Sequence, residues 1–202
     1  IRILLLILTV LFLTTAITIN NIVTKEDMLE LDTRTLSNNL HRSEKLVDEF
    51  FADSSMMKAF QNVELYPTQV LDITKKIGAK ERIFFFVYKN HQPIFWSTNL
   101  FVPVNDLGFQ SDVNYIKEDN RHLVVKRKVL SDNSSLLAII PIKADFPFTN
   151  QYLENIFNVT LLKSDNLAIA DYTDTENIKN IYSNNGSYLF SVKLSEGKHD
   201  NI

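Results

Sequence analysis

The stretch IFFFVYKNHQPIFWSTN, residues 83–99, decides the fold class. Residues 83–88 are too aromatic and β-branched for a helix, KNHQP supplies turn residues, and residues 94–98 form a second extended run. The pattern reads as a β-hairpin, and Pro93 places the second strand's start at its own beginning or on a sheet edge. In the first strand Phe84, Phe86 and Tyr88 point one way and Ile83, Phe85 and Val87 the other, so both faces need cover. Apolar runs of about six and five residues are far too short to span a bilayer.

Downstream, RHLVVKRKVL and LLAIIPI flank the turn SDNSS as a second hairpin. Alternation puts Arg127 on the face of Leu123, Val125 and Val129, with Lys126 and Lys128 on the other. A guanidinium among apolar neighbours needs a partner, either a carboxylate of the protein or an anionic ligand group. Between the hairpins, residues 99–114 form a long irregular stretch containing Pro103 and Gly108, of a length that usually carries function or covers a site.

Upstream, YPTQVLDITKKIG reads as a helix with Pro67 in its first turn and Gly78 just past its end. Residues 54–60 add a short helical turn or two. From residue 25 to 51 there is neither Pro nor Gly, and Leu29, Leu36, Leu40, Val47 and Phe50 recur at helical intervals. That stripe serves either a weak coiled-coil seam or a helix lying on its own domain's core. Past the second hairpin, FTNQYLENIF is expected to be helical and LAIADY a strand. Thr173 and Glu176 form a capping box for a helix through Ile178, Ile181 and Tyr182, and SYLFSVKL is a closing strand. Hairpins with helices gathered at the start make this an α+β chain, an antiparallel sheet flanked by helices behind a long N-terminal stalk helix.

Residues 3–19, ILLLILTVLFLTTAITI, are uncharged and follow Arg2. At about 1.5 Å per residue such a helix reaches roughly 25 Å, the short limit for a transmembrane span. A cleavable signal peptide ending near Ala16 fits the same run, but its continuation through Ile17 and Ile19 favours an anchor. Both readings place the residues after about Asn20 outside the cytoplasm, because Arg2 keeps the leading flank inside. The expected organisation is a transmembrane helix at 3–19, a stalk at 20–52 and a sensor domain at 53–202.

Composition narrows the functional classes. With a net charge of −3 there is no basic field to hold a polyanion, so nucleic acid is a poor partner. There is no cysteine, which removes disulfides, thiolate metal sites and cysteine nucleophiles. His41, His91, His122 and His199 show no metal spacing, and nucleophile, phosphate-loop and dinucleotide motifs are missing. No catalytic residue, metal or cofactor is expected. DYTDTE, residues 171–176, invites a calcium reading but fits acids at a helix N-terminus better. Sequons at Asn133, Asn158 and Asn185 matter only in a secretory eukaryotic cell.

The arrangement of membrane helix, stalk, hairpin and basic strand VVKRKVL, followed by LLAIIPIKADFPFTNQYLENIF and the closing GSYLFSVKL, resembles the extracytoplasmic sensor region of bacterial transmembrane histidine kinases. That resemblance implies a PAS-like or Cache-like fold and a homodimer joined through the stalk, set in the bacterial inner membrane with its sensor domain in the periplasm. It also implies a second membrane helix and a kinase beyond Ile202, in keeping with a chain that starts without Met and stops in a polar run. The stimulus, small molecule or protein, is left open, and the amino-acid-binding Cache pattern is not met. The candidate ligand-facing residues are Phe86, Tyr88, Trp96, Tyr115 and Arg127. The alternative from another class is a membrane-anchored binding or assembly protein without signalling output.

Overall fold

The structure, a computed structural model, describes residues 2–22, 25–103, 105–109, 112–118, 120–131, 133–150 and 153–195, with side chains of residues 16–25 left aside. Among the described residues the fold is α+β, with four helices, a five-stranded antiparallel sheet and a second sheet of three strands. Helix α1 is Arg2–Ile22, α2 is Lys25–Ala52, α3 is Ser54–Gln61 and α4 is Pro67–Glu81. The large sheet contains β1 (Phe84–Lys89), β2 (Gln92–Trp96), β3 (Val113–Glu118), β4 (Arg121–Ser131) and β5 (Ser134–Ala144), in the order β2-β1-β5-β4-β3. The small sheet is β6 (Leu167–Ile169), β8 (Tyr188–Leu194) and β7 (Lys179–Tyr182), in that order.

Both expected hairpins form. Asn90 and His91 take φ of 50° and 63°, a two-residue turn whose positive φ values match the twist of the flanking strands. Pro93 lies on the edge strand β2, next to a register shift opposite Val87 and Tyr88. Phe85 and Val87 face the main core with α2, α3 and α4, and Phe85 lies 4.5 Å from the Phe50 ring and 5.8 Å from Phe60. The stripe of α2 is spent on this core: Leu29, Leu36, Leu40 and Val47 are all buried. The stripe packs on the molecule's own core, and the exposed positions of α2 are charged or polar apart from Leu31 and Ala52.

Three local expectations fail for identifiable reasons. Helix α4 runs through Gly78 to Glu81 and is capped by Arg82 in the left-handed region, its N–H donating to the Gly78 carbonyl at 3.2 Å. Gly78 is kept small by packing, since a Cβ there would sit 3.3 Å from the Phe84 ring. The FTNQYLENIF segment is not helical where it is described. Asn150 and Leu153 exchange backbone hydrogen bonds, the Asn155 amide bonds both N–H and carbonyl of Phe146, and Phe157 pairs with Lys143 as an extension of the sheet beyond β1. The helix expected after Thr173 is replaced by β7, in which buried Ile181 alternates with exposed Asn180 and Tyr182 and the chain pairs with β8.

Among the described residues no helix is long and apolar enough to cross a membrane. The described side chains of α1, from Arg2 to Thr15, are all exposed, and Ile3 to Leu13 present large aliphatic groups on every side.

Candidate functional site

The face of the large sheet turned away from the helices carries Phe86, Tyr88, Leu123, Val125, Leu137 and Ile139, all fully buried. Its cover is the loop between β2 and β3. Phe101 packs against Phe84 and Phe86 at 5.8 and 5.7 Å between ring centres, Phe109 joins the same cluster, and the Tyr88 hydroxyl donates to the Pro103 carbonyl at 2.6 Å. Burial pushes the Tyr88 phenol far above its ordinary range, so it stays a neutral donor.

Asp106 fastens this loop. One carboxylate oxygen accepts from His91 Nδ1 at 2.7 Å; the other accepts from Arg127 at 3.3 Å and from the Ser135 hydroxyl. The three donors come from the β1–β2 turn, β4 and β5, so a single side chain pins the loop to three parts of the sheet. Burial works against the Asp106 charge, yet hydrogen bonds from Ser135 and His91 and the charge of Arg127 outweigh it and hold the carboxyl below its ordinary value. The partner required for Arg127 is therefore a carboxylate of the protein. Its Nε remains buried without a partner among the described residues.

His91, which shows no metal spacing in the sequence, is thus paired with Asp106. The set Ser135–Asp106–His91 is no hydrolytic triad, because the carboxylate sits between serine and imidazole, whereas proton transfer from the hydroxyl needs the imidazole in the middle. Ser135 is also 1% exposed. Among the described residues no group of three His, Cys, Asp or Glu side chains is placed to hold a metal ion.

Of the five candidate residues, Phe86, Tyr88 and Arg127 come together under the loop. Trp96 stands opposite Phe86 at the rim, 44% exposed, with its indole N–H on Asn99 at 2.9 Å. Tyr115 is on the other face: it pairs with Val124, packs 5.0 Å from the Phe190 ring and shares a hydrogen bond with His122, so it joins the two sheets. Asp106 and Ser135 were missed. The only available signal for Asp106 was the demand of Arg127 for a carboxylate, which named no position.

A second cluster links α2 to the small sheet. Glu44 is fully buried; one oxygen accepts the Asn184 N–H at 2.9 Å and the other has no partner among the described residues. Beside it the Asn184 amide donates to the His41 carbonyl, and His41 Nε2 meets the Tyr182 carbonyl at 2.8 Å. Burial raises the Glu44 carboxyl above its ordinary 4.5, and nearby Asp48 adds to this; the Asn184 N–H, Lys126 and His41 pull the other way. A raised folded-state value means that the stabilisation from protonating Glu44 is fully present below 4.5 and lost as pH rises through that folded value. Glu44→Gln, which keeps the acceptor and drops the charge, is expected to be about 1 kcal/mol more stable at pH 7 and to lose the gain that the parent shows on acidification toward pH 4.5. Parallel curves of melting midpoint against pH for the two proteins would contradict this.

The chain matches no protein-family model, no curated protein and no solved structure.

Proposed function

We propose that this chain is the extracytoplasmic sensing input region of a two-component sensor histidine kinase, a PAS-like or Cache-like domain tied to the bacterial inner membrane, with the kinase outside this chain. The observation that carries the reading is α1. Although no described helix has the length and apolarity of a membrane span, large apolar side chains exposed on every side of α1 from Ile3 to Leu13 have no favourable place in water, and lipid would give them an apolar cover. Residue 25 then opens α2, whose buried stripe runs along the core of both sheets. A change at the sheet thus has a rigid lever toward the membrane. The stimulus works by binding two arrangements of that lever with different affinity. The homodimer of this reading uses a face of α2 other than the buried stripe.

The absence of cysteine makes the test direct. Single cysteines at the exposed positions Leu31, Thr35, Asn38 and Arg42 are labelled in whole cells with a membrane-impermeant maleimide, and the same variants are oxidised to cross-link neighbouring copies. Labelling from outside, with a cross-linking pattern that shifts when Asp106 is replaced by Ala, is the expected result. Protection of all four sites counts against the location. An unchanged cross-linking pattern counts against transmission through α2.

A further inference from the structure

We propose that the cleft where the end of β5 meets the loop after β2 is a binding site for a small organic anion, a carboxylate with a compact apolar body. The cleft has a volume of about 170 Å³, and Arg82, Arg121 and Lys143 line it together with Phe84, Phe101 and Phe157. None of its lining residues is Asp or Glu. Many of the chain's other cations are held by acids, as Arg42 is by Glu81, Lys89 by Glu64 and Lys193 by Asp174. Among the described residues none of the three cleft cations has an ion-pair partner. Asp145, just past the end of β5, lies 3.8 Å from both Lys117 and His122 and also acts on Lys143 through its charge, while Glu118 stands opposite Arg121 in the β3–β4 register.

Aromatic faces hold two of the cations instead. The Arg121 guanidinium lies over the rings of Phe101 and Phe146, at 5.8 and 5.5 Å, and Lys143 Nζ lies 5.6 Å from the centre of Phe157. Stacking orients a guanidinium while leaving the N–H donors in its plane unspent. Those donors suit the two oxygens of a carboxylate. Arg82, the left-handed cap of α4, places a third cation at the cleft's edge. Burial also lowers the Lys143 ammonium from its ordinary value, a cost that an anion beside it would offset.

Size sets the ligand class. A cavity of about 150 Å³ holds a benzene ring, so this cleft suits a ring or short branched chain bearing one acid group. The apolar body would lie against Phe101 and Phe157. Binding here does not depend on the sensor reading, since a protein without any signalling output would bind the same anion.

The test is calorimetric titration of the full chain, in a mild nonionic detergent, with benzoate, benzamide and inorganic phosphate. Saturable one-to-one binding of benzoate is expected, with benzamide and phosphate at least about tenfold weaker, because each lacks one half of the recognised chemistry. Arg121→Gln and Lys143→Gln should each weaken benzoate about tenfold. Arg82→Gly, which eases the backbone and so keeps the fold, should weaken it as well. The proposal is overturned by the absence of saturable benzoate binding to a chain that melts cooperatively. It is equally overturned by undiminished binding in Arg82→Gly and Arg121→Gln, by benzamide binding as tightly (an apolar hollow only), or by phosphate doing so (a charged patch only).

Discussion

Asp106→Ala is expected to destabilise the protein by about 2–4 kcal/mol and to release the loop over the second face of the sheet. The carboxylate is 3% exposed and accepts from His91, Arg127 and Ser135. Its removal strands a guanidinium and a hydroxyl on an apolar face. Breaking a buried ion pair by deleting one partner costs about 3–5 kcal/mol when the other charge cannot reach water. Arg127 is 22% exposed, so part of that cost is recovered by hydration and the estimate is lowered accordingly. The lowered carboxyl of Asp106 adds a pH signature. Its contribution is present above the ordinary value of 3.8 and is lost as pH falls through the folded value, so the acid limb of the stability curve should flatten in the variant. Denaturant unfolding gives the first number, and amide exchange of β1 and β4 reports whether the face opens. A loss within about 0.5 kcal/mol, the range of an ordinary surface change, would show that Phe101, Phe109 and the Tyr88–Pro103 hydrogen bond hold the loop without Asp106.

Phe85→Ala is expected to cost about 3–5 kcal/mol, the largest effect of a single substitution proposed for this chain. The ring is 1% exposed and fills the space between α2, α3 and the sheet, in contact with Phe50 and Phe60. Its loss removes the transfer free energy of a large side chain, leaves a cavity in a packed interior, and breaks aromatic pairs worth about 0.5–1.5 kcal/mol beyond their area. Phe84→Ala is the internal control, since that ring points to the opposite face and is only half buried. Should the alanine variant fail to fold, Phe85→Leu, at about 1–1.5 kcal/mol, keeps the comparison measurable. Equal losses at residues 84 and 85 would mean that the helix-covered face is not the principal core.

The two substitutions separate what holds the sheet from what closes it. Phe85 belongs to the face covered by helices, where the cover is regular structure with its own hydrogen bonds. The face of Phe86, Tyr88 and Arg127 is covered by an aperiodic loop held by the Asp106 carboxylate, the Tyr88–Pro103 hydrogen bond and two phenylalanine rings. Such cover opens at lower free energy than packed helices, which makes that face the natural place for a conformational change.

By itself the sequence determined the two hairpins, the short and long helices before them and the α+β class, because strand alternation and helical spacing are local and repeat within a few residues. It also determined that Arg127 must find an anion, since the cost of burying a guanidinium does not depend on which fold surrounds it. Only the tertiary structure decided that the anion is Asp106, 21 residues earlier in an aperiodic loop. It likewise decided the face taken by Tyr115, because β3 lies outside the two hairpins legible in the sequence and a shift of one residue in its pairing with β4 would reverse every side chain. The segment around Phe157 and residues Lys179–Tyr182 went the same way: their spacing permits helices, but the edges of β5 and β8 offered their backbone groups partners from elsewhere in the chain, and pairing with those edges won.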